Sequence, residues 1–114
     1  MENTIKEKSF RFSVRIVKLY KFLRETKNET IMSRQLLRCG TSIGANIAES
    51  QQAQSRPDFI SKLNIALKEA SETDYWLRLL HETGYLNNAQ FTSIIADCHE
   101  LVRLLVSIIK STKN

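Results

Sequence analysis

Residues that break regular structure are scarce in this sequence, which has three glycines and one proline in 114 residues. A turn-rich β-fold needs such residues about every 8–12 positions, so their scarcity argues against a β-sandwich or β-barrel. Long apolar runs are also missing, because the longest, Leu101 to Ile109, contains Arg103 and is too short to span a bilayer. The first ten residues contain no apolar signal segment. We therefore expect one cytoplasmic, all-α domain over residues 1–114 that makes no contact with membranes.

Groups that carry chemistry are equally few. Cys39 and Cys98 lie far apart where helical periodicity buries them, which favours free thiols over the alternative of a disulfide. The histidines, His81 and His99, have only adjacent partners, whose side chains diverge on a helix and cannot share one metal. The segment from Gly40 to Gly44 lacks the lysine of a phosphate-binding loop. We expect no metal, no cofactor, no catalytic residues and hence no enzyme.

Apolar residues recur at helical spacing in four segments, which three polar breaks separate. The breaks lie at Lys27–Glu29, at Ser55–Asp58 with Pro57 in a first helical turn, and around Gly84. Because the connections are short, neighbouring helices should run antiparallel. The sequence predicts an up-down-up-down four-helix bundle with helices near 6–26, 30–53, 57–82 and 88–112.

Most apolar residues form one core stripe per helix, and two helices carry additional apolar positions. The predicted core consists of Phe12, Ile16, Leu19, Tyr20, Leu23, Leu36, Gly40, Ile43, Ile47, Phe59, Leu63, Ala66, Ala70, Leu77, Leu80, Phe91, Ile94, Ile95, Cys98, Leu101, Val102, Leu105 and Ile109. The first helix has a second apolar line, Phe10, Val14 and Val17, and the third places Trp76 away from its core stripe. No helix is central in a four-helix bundle, so these residues predict a homo-oligomer interface; scattered surface apolar residues are the alternative.

Positive charge is concentrated near the N-terminus. The net charge is +5, and residues 1–28 hold eight basic and three acidic side chains. Lys8, Arg11, Arg15 and Lys18 share one helical face, which we call the basic strip. With Arg34 and Arg38 nearby, the basic strip predicts contacts to the phosphates of RNA or DNA, and a solvated face is the alternative.

The second helix carries a polar line beside its core stripe. Its members are Gln35, Arg38, Ser42, Asn46 and Glu49. Because buried polar groups need partners, we interpret this line as a hydrogen-bonded seam between helices or subunits. The alternative is a ligand or catalytic cleft centred on Arg38, Asn46 and Glu49.

The second helix also carries a recognisable motif, in Arg34–Leu36, Arg38 and the run Ser42–Glu49. Together with Phe59, Leu63, Ala66–Ala70, Glu72–Leu77 and Gly84–Leu86, it resembles the signature of the bacterial family named for 23S rRNA intervening sequences. The resemblance covers nearly the whole chain. The family name describes where many of the genes lie, so it does not by itself imply ribosome binding.

The resemblance implies a ring-shaped homopentamer, because the family is similar to the accessory proteins of diversity-generating retroelements. Those proteins are basic pentameric bundles that bind nucleic acid and a reverse transcriptase. We therefore predict a non-enzymatic, homo-oligomeric nucleic-acid-binding protein. The alternative is a scaffold that docks a partner enzyme such as a reverse transcriptase.

Overall fold

Four helices account for most of residues 4–113, the part of the chain that the computed structural model describes. They are α1 (Thr4–Glu25), α2 (Met32–Ser50), α3 (Arg56–Glu82) and α4 (Asn88–Lys113). Within that part no strand is present, and the helices form an elongated bundle of 44 × 21 × 21 Å. The predicted all-α class and the four helices are confirmed, and α2 is shorter at both ends than the predicted span of 30–53.

Local side-chain bonds fix where α3 and α4 begin. The Ser55 hydroxyl accepts a hydrogen bond from the Asp58 backbone N–H at 3.1 Å, and Pro57 lies in the first turn of α3. Before α4, the side chains of Asn87 and Gln90 each accept a bond from the other's backbone N–H, at 2.8 and 2.9 Å. This reciprocal capping box satisfies two backbone donors, so the helix starts where the sequence predicts.

The start of α2 is fixed by Glu29, which the sequence suggested only as part of a polar break. Asn28 adopts a positive φ of 58°, and the chain then turns so that the Glu29 side chain is buried, with 7% exposure. The Glu29 carboxylate accepts hydrogen bonds from the backbone N–H groups of Ile31, Met32 and Ser33, at 3.1, 2.9 and 2.7 Å. Because these N–H groups are held by a side chain, α2 begins at Met32 and not at residue 30.

Each helix packs on two neighbours: α2 lies between α1 and α3, and α4 contacts α3 and α1. The buried core is apolar and is contributed by all four helices. Of the predicted core, Leu19, Tyr20, Phe59, Phe91 and Val102 are only partly buried. Ile5 and Leu86 join the core beyond the predicted set.

Two glycines let α1 and α2 approach closely. A Cβ on Gly40 would lie 2.9 Å from three atoms of the Ile16 side chain, and one on Gly44 would lie 2.8 Å from Ser13 Oγ and 3.2 Å from the Ser9 carbonyl oxygen. All of these distances are shorter than van der Waals contact, so a larger residue at either position would require atoms of α1 to move. This agrees with the core position predicted for Gly40. In the described part of the chain, no helix combines the length and the apolar character that crossing a membrane requires.

Candidate functional site

The outer surface of α1 concentrates basic side chains. This helix contains seven basic residues and two acidic ones, Glu7 and Glu25, a net charge of +5. Its core stripe, which includes Phe12, Ile16 and Leu23, faces the bundle, so the charged residues occupy its flanks and outer face. The structure therefore places the chain's excess charge on one side of the molecule.

Lys8 and Arg15 of the basic strip form ion pairs with α4. Lys8 Nζ lies 2.7 Å from Glu100 Oε2, and an Arg15 guanidinium nitrogen lies 2.6 Å from Asp97 Oδ2. Arg15 also donates a 2.9 Å hydrogen bond to the Ser93 hydroxyl. Two of the four cations in the basic strip are thus neutralised within the chain, by side chains that remain partly exposed.

Arg11, Lys18 and Arg34 are available for a ligand. All three are exposed, and none forms an ion pair or side-chain hydrogen bond with another residue between 4 and 113. Lys6 and Lys21, which the sequence analysis did not select, are also exposed cations of α1. The sequence could have identified them, since helical spacing places Lys6 beside Phe10 and Lys21 beside Val17 on the outer face.

Arg38 is placed differently from the other predicted phosphate ligands. Its guanidinium lies 3.3 Å from Glu69 Oε1 and 2.6 Å from Glu72 Oε2, both on α3. The hydrogen bond to Glu72 raises the pKa of Arg38, and the bonds from Arg38 and from the Trp76 indole lower the pKa of Glu72. Arg38 is therefore held by the α2–α3 seam, and its charge is matched by two acids.

The other members of the polar line bond along α2 and across to α3. Lys62 Nζ lies 3.0 Å from Glu49 Oε1 on the neighbouring helix. The Ser42 hydroxyl donates to the Arg38 carbonyl at 2.6 Å, and the Asn46 amide donates to the Ser42 carbonyl at 2.8 Å. Gln35 is exposed and forms no side-chain bond within residues 4–113. Across those residues, no buried side-chain nitrogen or oxygen lacks a partner.

The second apolar line of α1 lies on the surface. Phe10, Val14 and Val17 are 69%, 39% and 37% exposed. Beside them lies a groove of about 760 Å³ between α1 and α2, whose lining includes Phe10, Ser13, Gly44 and Ala48. An apolar line next to an open groove is typical of a surface that another chain covers.

Trp76 is less accessible than the three apolar residues of α1. It is partly buried, donates a 3.0 Å hydrogen bond to Glu72 and packs edge-to-face on Tyr75, with ring centroids 5.0 Å apart. The exposed apolar side chains of α3 are Tyr75 and Ile65, at 57% and 40%. Of the predicted interface residues, the three on α1 therefore lie on the surface and Trp76 lies partly beneath it.

Asp74 faces α4. Its carboxylate bonds Arg78 Nε on the same helix and His99 Nε2 on α4, the latter at 2.6 Å. Burial raises the pKa of Asp74, but the bonds from Arg78 and His99 outweigh it, so the pKa lies below the usual range. Within residues 4–113, no cluster of three or more metal-ligating side chains is present.

Both cysteines are buried and unpaired. Burial raises the pKa of the Cys98 thiol to about 12, and the thiol donates a weak hydrogen bond to the Ala70 carbonyl. Burial also raises the pKa of Cys39. Neither thiol has the depressed pKa of a reactive cysteine.

Comparison with known proteins identifies a family and a similar solved structure. The family model described as "23S rRNA-intervening sequence protein" matches residues 1–107. A crystal structure of a protein of unknown function from the S23 ribosomal protein family of Bacteroides thetaiotaomicron is 61% identical, with a TM-score of 0.94. The similarity covers 95% of this chain and 96% of that one. No protein with a curated description matches.

Proposed function

This chain belongs to the 23S rRNA-intervening sequence protein family, and from that premise we propose that it is a non-enzymatic, homo-oligomeric, cytoplasmic nucleic-acid-binding protein. The observation that carries the proposal is the concentration of seven basic residues against two acidic ones on α1. A nucleic acid presents closely spaced phosphates, so a surface of this kind attracts it without reading its sequence.

Phosphate contacts are assigned first to Arg11, Lys18 and Arg34, since binding there breaks no bond within residues 4–113. Lys8 and Arg15 also contact phosphates, but only after their ion pairs with Glu100 and Asp97 break. Exposed ion pairs contribute only about 0–1 kcal/mol each, so breaking these two has a small cost. Arg38, with two acidic partners, contributes least.

The proposed absence of catalysis rests on the α2 polar line. Arg38 and Glu49 are ion-paired to α3, and Asn46 donates to a carbonyl of its own helix. These are the three residues on which an enzymatic alternative depended. Since they are engaged with protein atoms, they support a structural seam more than a catalytic cleft.

A binding experiment with two matched variants tests the proposal. The probes are a fluorescein-labelled RNA hairpin and a DNA duplex, titrated with protein at about 50 and 200 mM salt. Arg11→Glu/Lys18→Glu and Arg103→Glu/Lys110→Glu each lower the net charge from +5 to +1, the first pair on α1 and the second on α4. We expect the α1 variant to bind much more weakly than the unaltered protein and the α4 variant to retain binding.

The salt dependence gives a second measure. Loss of two phosphate contacts should reduce the slope of log affinity against log salt by about 1.8 for duplex DNA. Two results would overturn the proposal: no binding of either probe by the unaltered protein at low salt, or equal losses in the two variants. The second result would mean that total charge, and not the α1 surface, governs the interaction.

The proposed architecture is an antiparallel, up-down-up-down bundle that assembles as a pentameric ring. The order of cross-helix contacts supports antiparallel neighbours: Lys8 meets Glu100 and Arg15 meets Asp97, so position along α1 rises as position along α4 falls. The α1–α2 groove and the exposed Phe10 support assembly.

Light scattering should give a mass near five times 13.2 kDa, and Phe10→Glu should lower that mass. A monomeric mass for the unaltered protein would contradict this assembly.

A protein-interaction scaffold is the second candidate function. It is favoured by a groove along α3 and α4 at which the two charged lining residues without an ion pair among residues 4–113, Arg103 and Lys110 of α4, are both basic. A scaffold that docks an enzyme needs such a surface in addition to, or in place of, the α1 surface.

A further inference from the structure

A groove follows the outer side of the α3–α4 pair, away from the exposed face of α1. It consists of two cavities of about 500 and 450 Å³ that share Val102 as a lining residue. The first lies between α3 and α4, and the second continues along α4 past Val106 to Lys110. We call this surface the α3–α4 groove. From His99 to Lys110 it is about 17 Å long, since a helix rises about 1.5 Å per residue.

The floor of the α3–α4 groove is apolar. Leu67 and Ala70 line it from α3, and Val102 and Val106 line it from α4. Val106 is 40% exposed. None of these four side chains has a hydrogen-bond donor, so the floor suits an apolar stripe and not a phosphate backbone.

Among the described residues, the unpaired charges at the rim of the α3–α4 groove, those of Arg103 and Lys110, are positive. Arg78, Arg103 and Lys110 line the rim, and Asp74 is the one acidic lining residue of the two cavities. Both Asp74 oxygens are already bonded, one to Arg78 and the other to His99. Arg103 and Lys110 form no ion pair within residues 4–113.

The positive rim exists because both helices direct other acids elsewhere. On α3, Glu69 and Glu72 face α2 and bond Arg38. On α4, Asp97 and Glu100 face α1 and bond Arg15 and Lys8. These four carboxylates therefore lie on other sides of their helices and do not line the α3–α4 groove.

We propose that the α3–α4 groove is a docking site for an acidic amphipathic helix of a partner protein. Apolar side chains spaced at i, i+3 or i+4, and i+7 on that helix contact Leu67, Val102 and Val106, and its flanking carboxylates pair with Arg103 and Lys110. The groove length corresponds to about three helical turns. The occupant is not a second copy of this chain docked through α1, because the exposed helix that such a copy offers is itself basic.

This inference is independent of nucleic-acid binding by α1, and a designed peptide tests it with the full chain. The probe is a stapled, fluorescein-labelled helix with a leucine stripe flanked by glutamates, and its counterpart has lysines in place of the glutamates. Fluorescence anisotropy at about 150 mM salt should show binding about tenfold tighter for the glutamate peptide. Arg103→Glu/Lys110→Glu should reverse that preference, and Val106→Asp should weaken the glutamate peptide about tenfold.

The matched control is Arg11→Glu/Lys18→Glu, which changes the net charge equally on α1 and should leave glutamate-peptide binding within about twofold. An equal loss in this control would overturn the proposal, because total charge would then explain the binding. Loss of RNA or DNA binding in Arg103→Glu/Lys110→Glu would also overturn it and make the groove a nucleic-acid surface. A reduced assembly mass in Val106→Asp, with an unchanged circular dichroism spectrum, would overturn it in favour of contact between copies.

Discussion

Glu29 provides a sharp test of how α2 is anchored. Its buried carboxylate accepts hydrogen bonds from the backbone N–H groups of residues 31–33, at 2.7 to 3.1 Å. In addition, the Ser33 hydroxyl donates a 2.9 Å hydrogen bond to the Glu29 carbonyl. Glu29→Ala removes all three side-chain bonds and the negative charge at the positive end of the helix, and Glu29→Gln removes the charge while keeping one acceptor oxygen.

The expected destabilisation follows from two contributions. Loss of a capping side chain costs about 1–2 kcal/mol. Loss of a carboxylate at a partly buried helix N-terminus costs a further 0.5–1 kcal/mol or so, by its interaction with the helix dipole. We expect Glu29→Ala to lower the free energy of unfolding by about 2 kcal/mol and Glu29→Gln by about 1 kcal/mol.

The contribution of Glu29 should depend on pH. Burial raises the pKa of Glu29, but the N–H groups of Met32, Ser33 and Ile31 outweigh it, so the folded-state pKa lies below the usual 4.5. A lowered folded-state pKa means that the stabilisation is complete above 4.5 and is lost as the pH falls through the folded value. The difference in the free energy of unfolding between the unaltered protein and Glu29→Gln should therefore become smaller at acidic pH.

Urea unfolding followed by circular dichroism, at fixed protein concentration and at several pH values, measures both effects. The matched control is Glu7→Gln, which removes an exposed carboxylate from the first turn of α1 and should cost less than about 0.5 kcal/mol. The reasoning is refuted if Glu29→Gln is no more destabilising than Glu7→Gln near neutral pH. It is also refuted if the effect of Glu29→Gln grows as the pH falls.

Two further predictions concern the core. Gly40→Ala should destabilise the bundle by about 1–2 kcal/mol net, because its Cβ would meet Ile16 at 2.9 Å and the overlap outweighs the gain in helix propensity. A double-mutant cycle with Ile16→Ala should recover part of that loss, whereas strict additivity would contradict the contact. Because Cys39 and Cys98 are buried and burial raises the pKa of both, to about 12 for Cys98, iodoacetamide should modify the native protein at least about a hundredfold more slowly than the urea-unfolded chain. Modification of either cysteine at the unfolded rate would show that the core is open.

Periodicity made the helices and most of the core predictable. Apolar spacing located Phe12, Ile16 and Leu23 in α1, and the breaks at Pro57 and Gly84 separated the later helices within a few residues of their observed ends. The motif around Ser42–Glu49 likewise identified the family. Local sequence was sufficient here because a helix buries whichever face carries its apolar residues, whatever it packs against.

The Glu29 cap was less accessible to sequence reasoning. An acid before a helix is a known starting signal, but Lys27, Asn28 and Glu29 together indicated only a polar break. Which of them turns inward depends on the positive φ of Asn28 and on the position of α2 relative to the end of α1. The α2 boundary was consequently predicted two residues early.

Residue spacing and composition are enough to predict four amphipathic helices with the excess positive charge on the first. Which of those charges stay unpaired depends on helix packing: Lys8 and Arg15 pair with acids of α4, whereas Arg11 and Lys18 form no ion pair within residues 4–113. Helix packing also turned Glu69 and Glu72 of α3 toward α2 and paired Asp74 with Arg78 and His99, so the unpaired charges along the α3–α4 groove, in the described part of the chain, are the cations Arg103 and Lys110 of α4. The physical reason is that spacing along one helix fixes its buried face, while the charges flanking that face acquire partners only when a neighbouring helix is placed beside them.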